Sequence, residues 1–331
     1  MKARRLWCTA LRQIEVNEFE LGDVPDDGML VKNDYTAMSV GTEIFGWVHG
    51  ANPGAKPPTF PHGIGHCQSG TVLEVGKDVT AFKPGDRVVG GGGHASHAVS
   101  TPGRYFRAPE NLSRKSAVMM GMAGIAMHGV RVAKIELGEA VVVLGLGLVG
   151  QYSAALARLA GALPLIGIDL DPVRLEKAKA WGMDVCINPN EVDDVPAEVR
   201  KHCVEDGANV VIEATGKPVV YPMAVKLACI AGRMVASGSP RGTVEMNFLD
   251  EVHLREVSIL GALNPRTPLN DHIYYRFTRR REREMILRFM SEGRLPTEEL
   301  ITHVVEPEDC QETYDMLADR PQGALGVVFE W

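Results

Sequence analysis

VVVLGLGLVGQYSAALARLAG, residues 141–161, decides the fold of this chain. Apolar, mostly β-branched residues run straight into Gly145-Leu146-Gly147-Leu148-Val149-Gly150, and an amphipathic helical pattern follows at once. A G-x-G-x-x-G triad alone is a weak signal, but set between a strand and a helix it is the turn that receives a dinucleotide pyrophosphate. The first glycine permits the tight turn, the second lets the backbone approach the phosphates, and the third lets helix and strand pack closely. The helix N-terminus then offers unpaired N–H groups to the anion. Asp169 ends the next apolar run, PLIGID, 19 residues after Gly150. A carboxylate there accepts hydrogen bonds from the adenosine ribose and repels a 2′-phosphate, so NAD is expected over NADP. Arg174 lies one helical turn beyond and is expected near the adenine.

Working outward, apolar runs at 140–145, 164–169, 184–188, 208–214, 232–238 and 257–262 alternate with amphipathic segments that end near glycines. Near-continuous apolar strands separated by crossover helices specify a doubly wound parallel sheet. Before Ala117 the pattern differs: short runs such as VKNDYTAMSV, GTVLEVGKDV and KPGDRVVGGGG, punctuated by Gly, Pro and Asp, read as an all-β region. The strand-like end, ALGVVFEW, is expected to rejoin that first region. These shifts divide the chain into 1–118 with 270–331, and 119–269.

Composition narrows the function classes. The 331 residues carry 35 basic and 42 acidic side chains, net −7, so no general field draws nucleic acid or an anionic membrane. The cluster Arg279, Arg280, Arg281 and Arg283 is interrupted by acids and reads as a solvated helix face. Six cysteines without a C-x-x-C pair imply reduced thiols and a cytoplasmic setting. No apolar run approaches the ~20 residues of a membrane span.

The order of these motifs resembles the medium-chain dehydrogenase/reductase superfamily, which includes the zinc alcohol and polyol dehydrogenases. The likeness rests on GLGLVG, on IDLDPVRLEKAKAWG, on GHCQSGTVLEVGKDVTAFKPGDRVV at 65–89, on IEATG at 212–216 and on GRMVASG at 232–238. It covers nearly the whole chain. It implies a GroES-like β domain built from both chain ends with an inserted Rossmann domain, and it places Ala214, Thr215 and Ser237 beside Gly145, Gly147, Leu148, Val149, Gly150, Asp169 and Arg174 at the cofactor. A homodimer paired through the edge strand near 257–262 is also implied.

The departures from that pattern bear on chemistry. Where zinc-dependent members carry Cys-Gly-x-Asp on a first-domain strand, this chain has Val40-Gly41-Thr42-Glu43. His66 matches the second zinc ligand, and Gly121 stands where the polyol dehydrogenases place the glutamate ligand. The four-cysteine lobe that follows G-D-R-V in relatives is replaced by GGGGHASHAVSTPGRYF. No metal is therefore expected, apart from a rearranged site on His66 and Cys67 with His62, His94 or His97 nearby. The triplet Gly41-Thr42-Glu43 also resembles a zinc-lacking branch of the superfamily. Thr42 matches the hydroxyl that touches the substrate oxygen, and Glu43 and His66 are the nearest proton acceptors. The substrate pocket is expected from loops around 45–60, 90–105 and 264–280, with Tyr274, Tyr275 and Phe277 as candidate lining.

The leading reading is an NAD-dependent dehydrogenase acting on a secondary alcohol of a polyol, sugar derivative or similar small metabolite, without catalytic zinc. The alternatives are an NADPH-linked quinone or enone reductase, and a redox-neutral lyase or epimerase that keeps its NAD. A catalytically inert NAD-binding protein ranks last.

Overall fold

The computed structural model describes residues 1–51, 56–271, 273 and 275–331. The chain forms two compact units, Met122–Glu282 and Met1–Gly121 together with Arg283–Trp331.

In Met122–Glu282, six parallel strands lie in the order Val185–Ile187, Leu165–Ile168, Val141–Leu144, Ala208–Glu213, Ala228–Ala236 and Ser258–Gly261. The strand direction of winding reverses between Val141–Leu144 and Ala208–Glu213, and in such sheets ligands bind at the carboxyl ends beside that reversal. Valines 141, 142 and 143 are fully buried because helices cover both sheet faces. The helix Leu148–Ala160 stops at Gly161, whose φ of 102° closes its C-terminus. Asp171 caps the helix Pro172–Ala180 by accepting from the Val173 amide at 2.9 Å. One boundary differs from the sequence reading. YPMAVKLACIAG reads as helix to Gly232, yet the helix ends at Leu227 and Ala228–Ala236 is strand, because Ala228 pairs with Ala208 in the sheet.

In the other unit, a seven-stranded sheet carries Ile301–Val305, Gly326–Glu330, Met29–Ala37, Cys67–Val75, Arg87–Gly90 and Tyr105–Arg107 in that order, with His97–Ser100 also on Met29–Ala37. A smaller sheet holds Gln13–Glu20, Lys2–Ala10 and His62–Gly63. The chain end does rejoin this unit: Phe329 pairs with Thr36 and Val328 with Ala37. Ala37 in turn pairs with Cys67. That register brings His66 beside the start of the helix Val40–His49.

Three expectations need correction. Val40–Glu43 is the first turn of a helix, since Glu43 reaches back to the Ser39 amide at 2.6 Å and closes the N-terminus. The arginine run is split by helical periodicity: Arg280 and Arg281 are exposed, but Arg283 is only 8% exposed and shares the buried side of Arg279–Ser291 with Ile286, Leu287 and Met290. Residues 114–133 are long and apolar enough to cross a bilayer, and 83% of their apolar window is buried inside the fold.

Candidate active site

Strand register assembles the nucleotide turn. Leu144 pairs with Ile168 on one side and Glu213 on the other, and Glu213 pairs with Ala236. The residues that follow, Gly145, Asp169, Ala214 and Ser237, therefore stand in one row at the carboxyl edge. Gly145 has φ 89°, and a Cβ there meets the Thr215 methyl at 2.6 Å. A Cβ on Gly150 falls 1.9 Å from the Gly145 carbonyl oxygen. On Gly147 the nearest atom is Arg174 Nη1 at 3.9 Å, so this face of the turn is open. Gly147 also caps Leu148–Ala160 without a side chain over its amides, which leaves the Leu148 and Val149 end of the helix ready for an anion.

Asp169 braces the turn from below: Oδ2 accepts from the Leu146 amide at 2.6 Å and Oδ1 from the Asp171 amide at 2.9 Å. A carboxylate has about four acceptor positions, so capacity for ribose hydroxyls remains. Arg174 sits against this turn, with Nη1 4.0 Å from Asp169 and Nε 3.4 Å from Asp171. Glu213, fully buried, accepts from the Thr215 amide at 2.6 Å, the Gly216 amide at 3.0 Å and the Thr215 hydroxyl. Burial nevertheless pushes its carboxyl pKa up. Ser237 contributes its backbone, donating to the Glu213 carbonyl at 2.9 Å, while its hydroxyl is directed at Gly129.

In the other unit the polar residues divide into an anchored group and an accessible one. Glu43 Oε2 accepts from His94 Nε2 at 3.0 Å and from the Tyr314 hydroxyl at 2.8 Å, while Oε1 holds the Ser39 amide. His94 Nδ1 pairs with the Thr36 hydroxyl at 2.7 Å, which also accepts from Trp331 Nε1 at 3.0 Å. Burial by itself raises the Glu43 pKa, but attraction to His94 and these hydrogen bonds outweigh it and hold the carboxyl below its usual range. Glu43 is thus an anchor for the helix start rather than a free base. Thr42, one residue earlier, is exposed. His66 is exposed as a residue, and its pKa is lowered by desolvation among crowded neighbours and by Arg283 and His94, against an upward pull from Glu43. Cys67 is buried, which pushes its thiol up to about 11.

The anchor has a testable energy. His94→Ala strips a buried carboxylate of its hydrogen-bonding imidazole and is expected to cost about 1–3 kcal/mol. A depressed carboxyl pKa contributes stability above the unfolded value, and that contribution disappears as pH falls through the folded value. The gap in denaturant midpoint between wild type and variant should therefore close on acidification, and a gap independent of pH would contradict the pairing.

Residues 25–158 match the family described as alcohol dehydrogenase GroES-like domain, and residues 149–275 match the family described as zinc-binding dehydrogenase. The chain belongs to the medium-chain dehydrogenase/reductase superfamily. Within that superfamily it is 29% identical to D-guloside 3-dehydrogenase of Escherichia coli K12, over 98% of this chain and 100% of the relative. It is 28% identical to (R,R)-butanediol dehydrogenase of Bacillus subtilis, over 77% of this chain and 76% of the relative. A crystal structure of a putative zinc-binding dehydrogenase from Sinorhizobium meliloti bound to NADP shares the fold, with TM-score 0.84 and 21% identity over 100% of both chains.

The medium-chain dehydrogenase/reductase fold commonly holds a catalytic zinc on three side chains with a fourth position open. The residues here do not fit it. Val40 has no donor atom. Gly121 has no side chain, although its Cβ position lies 2.9 Å from Cys67 Cβ and 3.5 Å from His66 Cδ2. Among the described residues no three His, Cys, Asp or Glu side chains are arranged to hold a metal ion.

Three site residues were missed in the sequence. Tyr314 and Arg283 come from distant segments, and neither has a local signal. His94 was noted only as a neighbour in sequence. Of the candidate lining residues, Phe277 lies under the Arg131 guanidinium, 3.1 Å from the ring centroid, and Tyr274 lies outside the described residues.

Proposed function

We propose that the protein is an NAD-dependent dehydrogenase that oxidises a secondary alcohol of a polyol or sugar derivative without catalytic zinc, in the cytoplasm. The observations that carry this reading are a complete nucleotide turn in one unit and, in the other, an exposed histidine, His66, for which the described residues supply no partner ligands for a metal. Relatives acting on a guloside and on a butanediol support the substrate class. The glycine turn fits a dinucleotide, because its open face at Gly147 and its uncapped helix suit a pyrophosphate, and Asp169 suits an unphosphorylated ribose. The nicotinamide supplies the hydride acceptor.

The chain's own residues handle the proton. Thr42 holds the alcohol hydroxyl, and neutral His66 takes its proton as the carbon–hydrogen bond breaks. Arg283 contributes fixed positive charge near His66 and Cys67, which favours the developing alkoxide in place of a Lewis acid. Glu43 stays ionised and holds the Thr42 turn. The homodimer belongs to the same reading, pairing through the edge strand Ser258–Gly261, where Ile259 is partly exposed.

A coenzyme titration with parallel assays after chelation tests the proposal. Binding of NAD is expected to be at least tenfold tighter than NADP, and alcohol oxidation should survive prolonged chelator treatment. Tighter NADP, or activity lost with near-stoichiometric zinc and restored on its return, would overturn it.

A further inference from the structure

Where relatives carry a cysteine-rich lobe, this chain passes directly through Gly91, Gly92 and Gly93, and a hollow of about 490 Å³ opens there. Its walls bring together Arg5 and Trp7 of the strand Lys2–Ala10, the glycine run, His66, His94 and Arg104. Arg5, Arg104, His66 and His94 are among the residues that line it, and no acidic residue is. In a chain of net charge −7 that is a local reversal of sign. Arg5 is held in place by its neighbours: its guanidinium lies 3.5 Å from the Trp7 ring centroid and 4.6 Å from that of Phe19. Its contacts to Asn17 Oδ1 are long, 3.4 Å from both Nε and Nη2. Among the described residues neither Arg5 nor Arg104 makes an ion pair with a carboxylate.

A rigid, stacked guanidinium facing a hollow without counter-charge is suited to a planar or tetrahedral oxyanion, which it binds with paired, charge-assisted hydrogen bonds. The glycines keep side chains out of the space such a group needs. We propose that this hollow is a specificity subsite for an anionic substituent of the substrate, a carboxylate or phosphate monoester on a polyol or sugar, held by Arg5 and Arg104. His66 is among the residues that line the same hollow, so an acid anchored there is held beside the residue that carries the proposed base. The inference rests on the dehydrogenase reading and narrows its substrate class.

The test separates binding from turnover. Calorimetric titration of the full chain with inorganic phosphate and, separately, with a six-carbon sugar acid is expected to show saturable binding. Arg5→Gln and Arg104→Gln should each weaken it roughly tenfold or more, with NAD affinity unaltered. Arg104 is exposed, so its variant guards against a folding defect from disturbing the Arg5 stack. Gly91→Asp serves as a third variant, because a Cβ there meets only the His66 carbonyl oxygen at 3.9 Å. It adds a negative charge to the wall and should abolish anion binding. Steady-state assays with sugar phosphates, sugar acids and neutral polyols then identify the source, with the lowest KM expected for one of the two anionic series. Absence of saturable binding, or binding equal in wild type, Arg104→Gln and Gly91→Asp, would overturn the subsite. Turnover of neutral polyols alone would do the same and leave the dehydrogenase intact. Arginine-dependent anion binding with no NAD reduction on any alcohol would instead sink the dehydrogenase reading and keep the subsite.

Discussion

Gly150→Ala is expected to lower coenzyme affinity by about two orders of magnitude, roughly 2.7 kcal/mol, and to destabilise its unit by about 3 kcal/mol or more. The added Cβ falls 1.9 Å from the Gly145 carbonyl oxygen and 2.9 Å from its carbonyl carbon. Both atoms are backbone, so no rotamer change relieves the clash, and the helix Leu148–Ala160 must lift from the strand that aims it. The comparison is Gly147→Ala, whose Cβ meets nothing nearer than Arg174 Nη1 at 3.9 Å. That variant should melt close to wild type while still losing affinity, because the methyl occupies the approach of the pyrophosphate. Fluorescence titration with NAD alongside thermal unfolding resolves the two effects. Wild-type affinity in Gly150→Ala would show that the dinucleotide does not bind at this turn.

His66→Asn should reduce kcat by about 10²–10⁴-fold, the usual span for losing a general base, with coenzyme affinity unchanged. The pH profile supplies the sign. The proposed base works as neutral imidazole, so kcat/KM for oxidation is expected to rise through the acid limb and level above it. Desolvation holds the His66 pKa below its ordinary value, and Arg283 and His94 act in the same direction against Glu43. The limb therefore lies on the acid side of the free imidazole value of about 6.5. Arg283→Gln removes a charge that disfavours the imidazolium and should move the limb toward higher pH. A profile still governed by the same limb in His66→Asn would assign the base elsewhere.

How legible the protein is in its sequence depends on how far apart the cooperating residues lie. The glycine turn, Asp169 and the strands around them are readable because each depends on neighbours within some twenty residues and on a periodicity that only a buried parallel sheet demands. His66 was readable because it sits within an intact run, GHCQSG. Glu43 looked like a base because it follows Thr42, yet its partners are His94 and Tyr314, 51 and 271 residues away. Arg283 looked solvated because its neighbours Arg280, Arg281 and Glu284 are. Only the helix's packing shows that position 283 turns inward with Ile286, Leu287 and Met290. The hollow at Gly91–Gly93 was visible as a departure in sequence, but its charge came from Arg5, paired there through the Leu6 amide and the His94 carbonyl at 2.9 Å.

The sheet that carries His66 is closed by the last residues of the sequence, Gly326–Glu330 against Tyr35–Ala37, and this imposes an order on synthesis. The unit Met122–Glu282 is one uninterrupted segment and can fold as it emerges. The strand Met29–Ala37 leaves the ribosome long before its partner. At ~5–20 residues per second, the 288 residues between Ala37 and Gly326 take about 15–60 s to make. Throughout that interval the strand presents an open edge beside apolar surface that Val327, Val328 and Phe329 will later cover, the kind of edge that recruits other chains. The nascent protein is thus most exposed to aggregation on the side that carries His66, and chaperone capture during translation should fall on the 1–121 segment.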